Sequence, residues 1–309
     1  MNVPDVSVVI VNWNTKDLLR QCLKSVGAGL DAEHQAEVWV VDNASQDGSA
    51  QMVRAEFAHV HLIANSDNVG FARANNQALA QAAGRHLLLL NSDCKVLGGA
   101  ISVLIGFLDA HPQAGMAGCR LLNADGTTQR SAWRTFPTLP SVVVGGLWLD
   151  KLPLVKGKLA REERELAQAQ EPVQVAHLLG ACLMVRREAL GAAGVLDPAY
   201  FMYLEETDWC RRIAAHGYGV WYVPSRSIIH YGQQSAALAP DKATADWCRS
   251  MCRFYRQTYA PKRRTMALLK AAIAASVTLR FLVARLRRKG HSRPTWAGTA
   301  RTLHALRGA

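Results

Sequence analysis

Polar side chains placed where apolar runs end are the parts of this 309-residue chain that could do chemistry. The leucines at 87–90 run into Asn91, Ser92 and Asp93, residues 6–12 run into Asn12, Trp13 and Asn14, and residues 37–42 run into Asp42, Asn43, Ala44 and Ser45. Carboxylates and amides in such positions can accept hydrogen bonds or hold a cation. For any one cluster, capping of the helix that follows explains Asp and Asn equally well. Three acids, Glu205, Glu206 and Asp208, stand near the start of a helical segment, where the helix dipole favours negative charge. Taken alone they read as helix stabilisers, and a lone histidine such as His230 at a strand end reads as structural.

The elements that must position these residues alternate in type. Short β-branched or leucine runs predict strands near 6–12, 37–42, 59–63 and 85–91, and segments of helical period predict helices near 16–27, 48–57, 70–83 and 98–110. Gly84 and His111-Pro112 are stop signals. A βα repeat of this kind implies an α/β fold: a Rossmann-like, mostly parallel central sheet with helices on both faces and right-handed crossovers. Ligands of such sheets sit beyond the carboxyl ends of the strands, which is where the three polar clusters converge.

Further on, Asp125-Gly126 marks a hairpin turn, the apolar stretch 136–154 is broken by prolines and glycines, and residues 156–172 read as a charged, mobile surface segment. From 173 the pattern is strand, turn, strand and short helix, then a helix over 205–216 ending at Gly217, then two short strands that carry His230 to a loop.

Net charge is +12, but residues 261–309 hold 12 Lys and Arg and no acid, so residues 1–260 are neutral overall. That distribution argues against nucleic acid as a partner. It divides the chain into a domain over 1–240 and a basic helical extension over 241–309. Leu268, Ala272, Ala275, Leu279, Leu282 and Leu286 form one apolar stripe of an amphipathic helix, interrupted by Lys270, Arg280, Arg285, Arg287, Arg288 and Lys289. Its longest uncharged run, 271–279, is far short of the roughly 20 residues that cross a bilayer, so the stripe predicts a helix lying on anionic lipid. The seven cysteines show no metal-ligand spacing and read as reduced packing residues, and the N-terminus shows no secretory signal, which together imply the cytoplasm.

The segments VSVVIVNWN, VVDNASQDGS, NVGFARANNQA, LLLLNSD, LLGACLMVRREAL, FMYLEETDWCRRIAAHGY and SIIHYGQQS, in that order over about residues 5–235, resemble the family 2 glycosyltransferases of GT-A fold, most of all bacterial rhamnosyltransferase-type members. The resemblance implies an inverting enzyme in cell-surface polysaccharide synthesis that moves a sugar from a nucleotide-diphosphate donor to a hydroxyl of a glycan or polyprenyl-diphosphate-linked glycan. It places Val11, Trp13, Asp42 and Arg73 at the nucleoside, with Asn91 and Ser92 beside them. Asn91-Ser92-Asp93 resembles the family's Asp-x-Asp element with its first acid replaced, leaving Asp93 as the carboxylate ligand of Mg²⁺ or Mn²⁺, and His230 matches a histidine of that metal shell. Glu206 falls on the family's catalytic base, with Glu205 and Asp208 as its support, and residues 180–182 border the sugar. Arg186 and Arg187 read as surface charges. The substitutions at Asn91 and Glu206 also suit an adaptor that has lost catalysis, while the phosphate loop expected of a sugar nucleotidyltransferase is missing from VNWNTKD.

Overall fold

The computed structural model describes residues 3–146, 153–232, 234–286 and 296–308. Twelve strands and twelve α-helices are described: β1 (Val6–Asn12), α1 (Lys16–Val26), β2 (Ala36–Asp42), α2 (Ser49–Glu56), β3 (His61–Ala64), α3 (Phe71–Leu79), β4 (His86–Asn91), β5 (Cys94–Val96), α4 (Ala100–Ala110), β6 (Ala114–Leu122), β7 (Thr128–Gln129), β8 (Ala132–Trp133), α5 (Leu139–Gly146), α6 (Pro153–Gln168), β9 (Val173–Val175), β10 (His177–Leu178), β11 (Cys182–Arg186), α7 (Arg187–Ala193), α8 (Glu205–Ala215), β12 (Gly219–His230), α9 (Gln234–Ala237), α10 (Pro240–Tyr259), α11 (Arg263–Leu286) and α12 (Trp296–Gly308).

The main sheet runs β3-β2-β1-β4-β11-β6-β12-β5. The first four strands are parallel, β11 is antiparallel to both β4 and β6, β6 and β12 are parallel, and β5 closes the sheet antiparallel to β12. Val6, Val8, Ile10, Val40, Leu88 and Leu90 are buried with residues of α1, α2 and α4, as expected of strands covered on both faces.

Three expectations change. The charged segment 156–172 is mostly helix, as α6, carrying an Arg161–Glu165 ion pair at i,i+4 (2.8 Å) that supports a helix without an apolar stripe. The two short strands before His230 are one 12-residue strand, β12, whose register shifts between Val223 and Ser227. Pro224 there lacks an N–H, and a bulge accommodates it without ending the strand. Arg186 and Arg187 are cross-ties: Arg186 donates to the carbonyls of Ala114, Leu108 and His111, and Arg187 to those of Gly84 and Ala82.

The Cα packing forms two compact units. One comprises 1–135, 166–199 and 205–235; the other comprises 136–165, 200–204 and 236–309. The second has its own core of Tyr200, Leu204, Cys248, Cys252, Phe254, Leu269, Ile273 and Leu306. All seven cysteines are free and buried. Within this unit α11 buries Leu269, Ile273, Ser276 and Phe281, while Leu268 (61% exposed) and Leu282 (51%) point outward with Ala271 and Ala275. By length and composition Arg263–Val283 could cross a membrane (mean hydropathy 1.8), because only Lys270 and Arg280 are charged between Met266 and Val283. The uncharged-run count alone does not reveal this. Arg287, Arg288 and Lys289, and residues 147–152 of the broken apolar stretch, lie outside the described residues.

Candidate active site

Parallel register delivers the strand ends to one edge. Asn12 lies opposite Asp42, and Val11 lies opposite Asn91. Asn12 Nδ2 donates to Asp42 Oδ1 (3.0 Å) and to Ser45 Oγ (3.1 Å), while Asp42 Oδ2 accepts the Ser45 N–H (3.0 Å). Asp42 is only 2% exposed, and these bonds offset the cost of burying it while leaving each oxygen a free lone pair. The Thr15 hydroxyl donates to Asn12 Oδ1 (2.7 Å) and lies 2.9 Å from Ser92 Oγ, which links the first cluster to the third. Val11 and Trp13 are half-buried at the same edge. Arg73 is exposed on α3, and its Nε donates to the Pro198 carbonyl (3.0 Å).

Asp93 and His230 meet across the β5–β12 ladder. His230 pairs with Cys94, and the Tyr231 N–H donates to the Asp93 carbonyl (3.0 Å). His230 Nε2 lies 3.3 Å from Asp93 Oδ1 and 3.4 Å from Asn91 Nδ2, and Nδ1 lies 2.7 Å from Gln129 Oε1. Ligand atoms of Asp93, Cys94 and His230 all fall within 4.8 Å of one another. The Cys94 thiol points at the Ala181 carbonyl (3.4 Å), and burial pushes its pKa well above the usual thiol value, so it stays neutral and packs. What remains is one carboxylate and one imidazole, an O/N donor pair that fits Mn²⁺ or Mg²⁺ drawing its other ligands from elsewhere.

The three acids on α8 have three different environments. Glu206 is half-buried, with the Thr207 hydroxyl 3.5 Å from its Oε1. Glu205 is 4% exposed and its Oε2 has no hydrogen-bond partner; burial, and then the neighbouring Glu206 charge, raise its pKa well above the carboxylate range. Asp208 is buried between Arg211 Nη2 (3.1 Å) and Arg212 Nε (2.7 Å), and Arg212 also donates to the Val195 carbonyl (2.8 Å).

The turn at Gly180-Ala181 joins the two halves of the site. The Ala181 carbonyl accepts the Asn91 N–H (3.0 Å) as well as the Cys94 thiol. A Cβ built on Gly180 would stand 3.4 Å from Glu206 Cγ and 3.5 Å from its Cβ. Asn91 and Glu206 therefore contact adjacent residues of one turn. The sequence names Asn12 and Ser45 in its polar clusters without assigning them a role, whereas Gln129, 101 residues from His230, has no local signal.

Comparisons with known proteins give the family and the fold. Residues 7–193 match the family described as Glycosyl transferase family 2. An N-acetylglucosaminyl-diphospho-decaprenol L-rhamnosyltransferase of Mycobacterium tuberculosis is 30% identical over 75% of this chain and 78% of its own length. The rhamnosyltransferase WbbL of Escherichia coli is 24% identical over 73% of this chain and 83% of its own length. Among solved structures, the mannosyltransferase PcManGT of Pyrobaculum calidifontis, in complex with GDP-Man and Mn²⁺, superposes with a TM-score of 0.58 at 16% identity, covering 100% of this chain and 87% of that one. The chain belongs to glycosyl transferase family 2, is rhamnosyltransferase-like within it, and has the GT-A fold.

Proposed function

We propose that this glycosyltransferase moves a sugar, rhamnose before any other, from a nucleotide-diphosphate donor to a hydroxyl of a glycan or polyprenyl-diphosphate-linked glycan, inverting the anomeric configuration in a single displacement. The observation that carries the reading is the Gly180-Ala181 turn, whose Ala181 carbonyl accepts the Asn91 N–H and whose Gly180 lies against Glu206. Asp42 accepts a ring N–H of the base, Trp13 and Val11 pack on the nucleoside, and Arg73, Asn91 and Ser92 face the donor. Asp93 and His230 hold Mg²⁺ or Mn²⁺. When bound, the ion supplies positive charge toward the departing diphosphate. Glu206 takes the proton of the acceptor hydroxyl from the opposite side, as single displacement requires. Burial favours the neutral form of Glu205 beside it, and Asp208 fixes the helix through Arg211 and Arg212. The names of the Mycobacterium tuberculosis and Escherichia coli relatives support rhamnose, and the first of them supports a lipid-linked acceptor.

A panel of nucleotide sugars tests the reading by thermal shift with and without Mn²⁺, followed by turnover and NMR of the product anomer. A ligand raises Tm according to its concentration over Kd. Thymidine-diphosphate rhamnose should give the largest shift, dependent on Mn²⁺, and an inverted product; no shift from any nucleotide sugar would sink it.

The second unit supports a peripheral site on the inner face of the cytoplasmic membrane. The outward stripe of α11, Leu268, Ala271, Ala275 and Leu282, adjoins exposed Lys262, Arg263, Arg264 and Arg280, a pattern suited to anionic headgroups. Vesicles containing phosphatidylglycerol should sediment the protein, and Leu268→Glu with Leu282→Glu should release it. Extraction only by detergent would instead make α11 a spanning helix.

A further inference from the structure

The Asn123–Gln129 hairpin does more than turn the chain between β6 and β7. Its side chains form a hydrogen-bonded series that ends on His230, and every link in that series has a fixed direction. Asp125, a carboxylate at neutral pH, can only accept. Its Oδ1 takes the Thr127 hydroxyl proton (2.6 Å). With that proton committed, Thr127 Oγ1 accepts from Asn123 Nδ2 (2.9 Å). The Asn123 amide is thereby oriented, so its Oδ1 accepts from Gln129 Nε2 (3.1 Å). Gln129 then presents Oε1, and nothing but Oε1, to His230 Nδ1 at 2.7 Å. A carbonyl oxygen at that distance requires a proton on Nδ1.

The backbone makes the same hairpin stiff. The Asn123 N–H donates to the Thr127 carbonyl (2.8 Å), the Gly126 N–H donates to the Asn123 carbonyl (2.9 Å), and Gln129 pairs with Leu121 on β6. Gly126 (φ 82) takes the left-handed conformation this turn needs.

We infer that Gln129, oriented by Asn123, is a positioning residue that holds His230 as its Nδ1–H tautomer and turns the Nε2 lone pair toward Asp93 and the cation. The inference rests on the metal reading above for its purpose, though not for its geometry. Partners of this kind on the far nitrogen of a ligating histidine fix tautomer and ring orientation. Influence should fade outward along the series, since Asp125 and Thr127 are exposed and water competes for their bonds, whereas Gln129 and Asn123 are half-buried.

Two measurements test this. In the wild type, ¹⁵N-histidine NMR should show the Nδ1 of His230 protonated, and a His230 with Nδ1 unprotonated would overturn the inference whatever the metal does. Mn²⁺ titration followed by electron paramagnetic resonance, with a nucleoside diphosphate present, should then show Gln129→Leu binding about 10- to 100-fold more weakly than wild type. Gln129→Glu keeps the acceptor and should restore affinity, while Thr127→Val should change it only about twofold or less. Wild-type Mn²⁺ affinity in Gln129→Leu, in a protein that melts normally, would overturn the positioning role and leave the metal reading standing. No Mn²⁺ binding by the wild type would overturn both.

Discussion

The β5–β12 edge and the start of α8 both bury carboxylates, in opposite ways. At the first, His230, Gln129 and Asn123 are hydrogen-bonded in a connected series with Asp93 Oδ1 3.3 Å from His230 Nε2, and Asp42 nearby has a donor on each oxygen. At the second, Asp208 is paired with two arginines, yet Glu205 four-fifths of a turn away is buried with an oxygen that nothing satisfies. Groups that hold a donor and its cation benefit from being fixed in advance, because ordering them costs nothing at binding. A group that must accept a proton has to sit in a field that makes proton uptake favourable, and a fully satisfied carboxylate would not. On the roles proposed above, the difference between the two regions is the difference between holding and reacting.

Removing the holding side outright should have the largest effect. Asp93→Ala is expected to cost about 5 kcal/mol of transition-state stabilisation, some 10⁴-fold in kcat/KM, with Mn²⁺ binding lost alongside. Glu206→Gln attacks the reacting side and should lower kcat about 10³-fold while leaving donor binding near wild type by calorimetry. If Glu206→Gln weakened the donor and Asp93→Ala did not, the contrast between the two regions would be reversed.

The strands that carry these residues are legible in the sequence for local reasons, whereas the contrast itself is not. β1, β2 and β4 begin and end within one residue of expectation because each is rich in branched or leucine side chains and ends in a polar residue. β6 went unread because Gly115 and Gly118 break its pattern; Gly118 is there because a Cβ would stand 2.9 Å from the Cys182 carbonyl oxygen. α6 was hidden because its polar residues support a helix through i,i+4 pairing without an apolar stripe. At the candidate site, strand ends announce themselves, so the sequence places Asn91, Asp93 and Asp42 at or just past the strand ends where the structure has them. What the sequence could not show is pairing between distant positions: Gln129 with His230, or which of three neighbouring acids is satisfied by arginine and which is not.

Those acids allow the contrast to be sharpened further. Asp208→Ala leaves Arg211 and Arg212 without their shared partner, and such losses cost 3–5 kcal/mol when the pair is fully buried. Because the arginine side chains are 28% and 22% exposed, water recovers part of this and about 2–3 kcal/mol is expected from denaturant unfolding. Loss of turnover without loss of stability would make Asp208 a reacting group after all.

Glu205→Gln should have the smallest effect and a distinctive pH dependence. The folded-state pKa of Glu205 is raised by burial and by Glu206, so folding takes up a proton once the pH exceeds the unfolded value near 4.5. The contribution of Glu205 to stability is therefore full below that pH and declines as pH rises toward the folded value, by at most about 1.4 kcal/mol per unit. Glutamine has the shape of the neutral acid and nothing to ionise. The variant should melt close to wild type near pH 4.5 and gain on it steadily as pH rises, while keeping most of its turnover. A melting difference that does not change with pH would mean that Glu205 ionises normally, and a loss of kcat as deep as that of Glu206→Gln would move the base one residue back along α8.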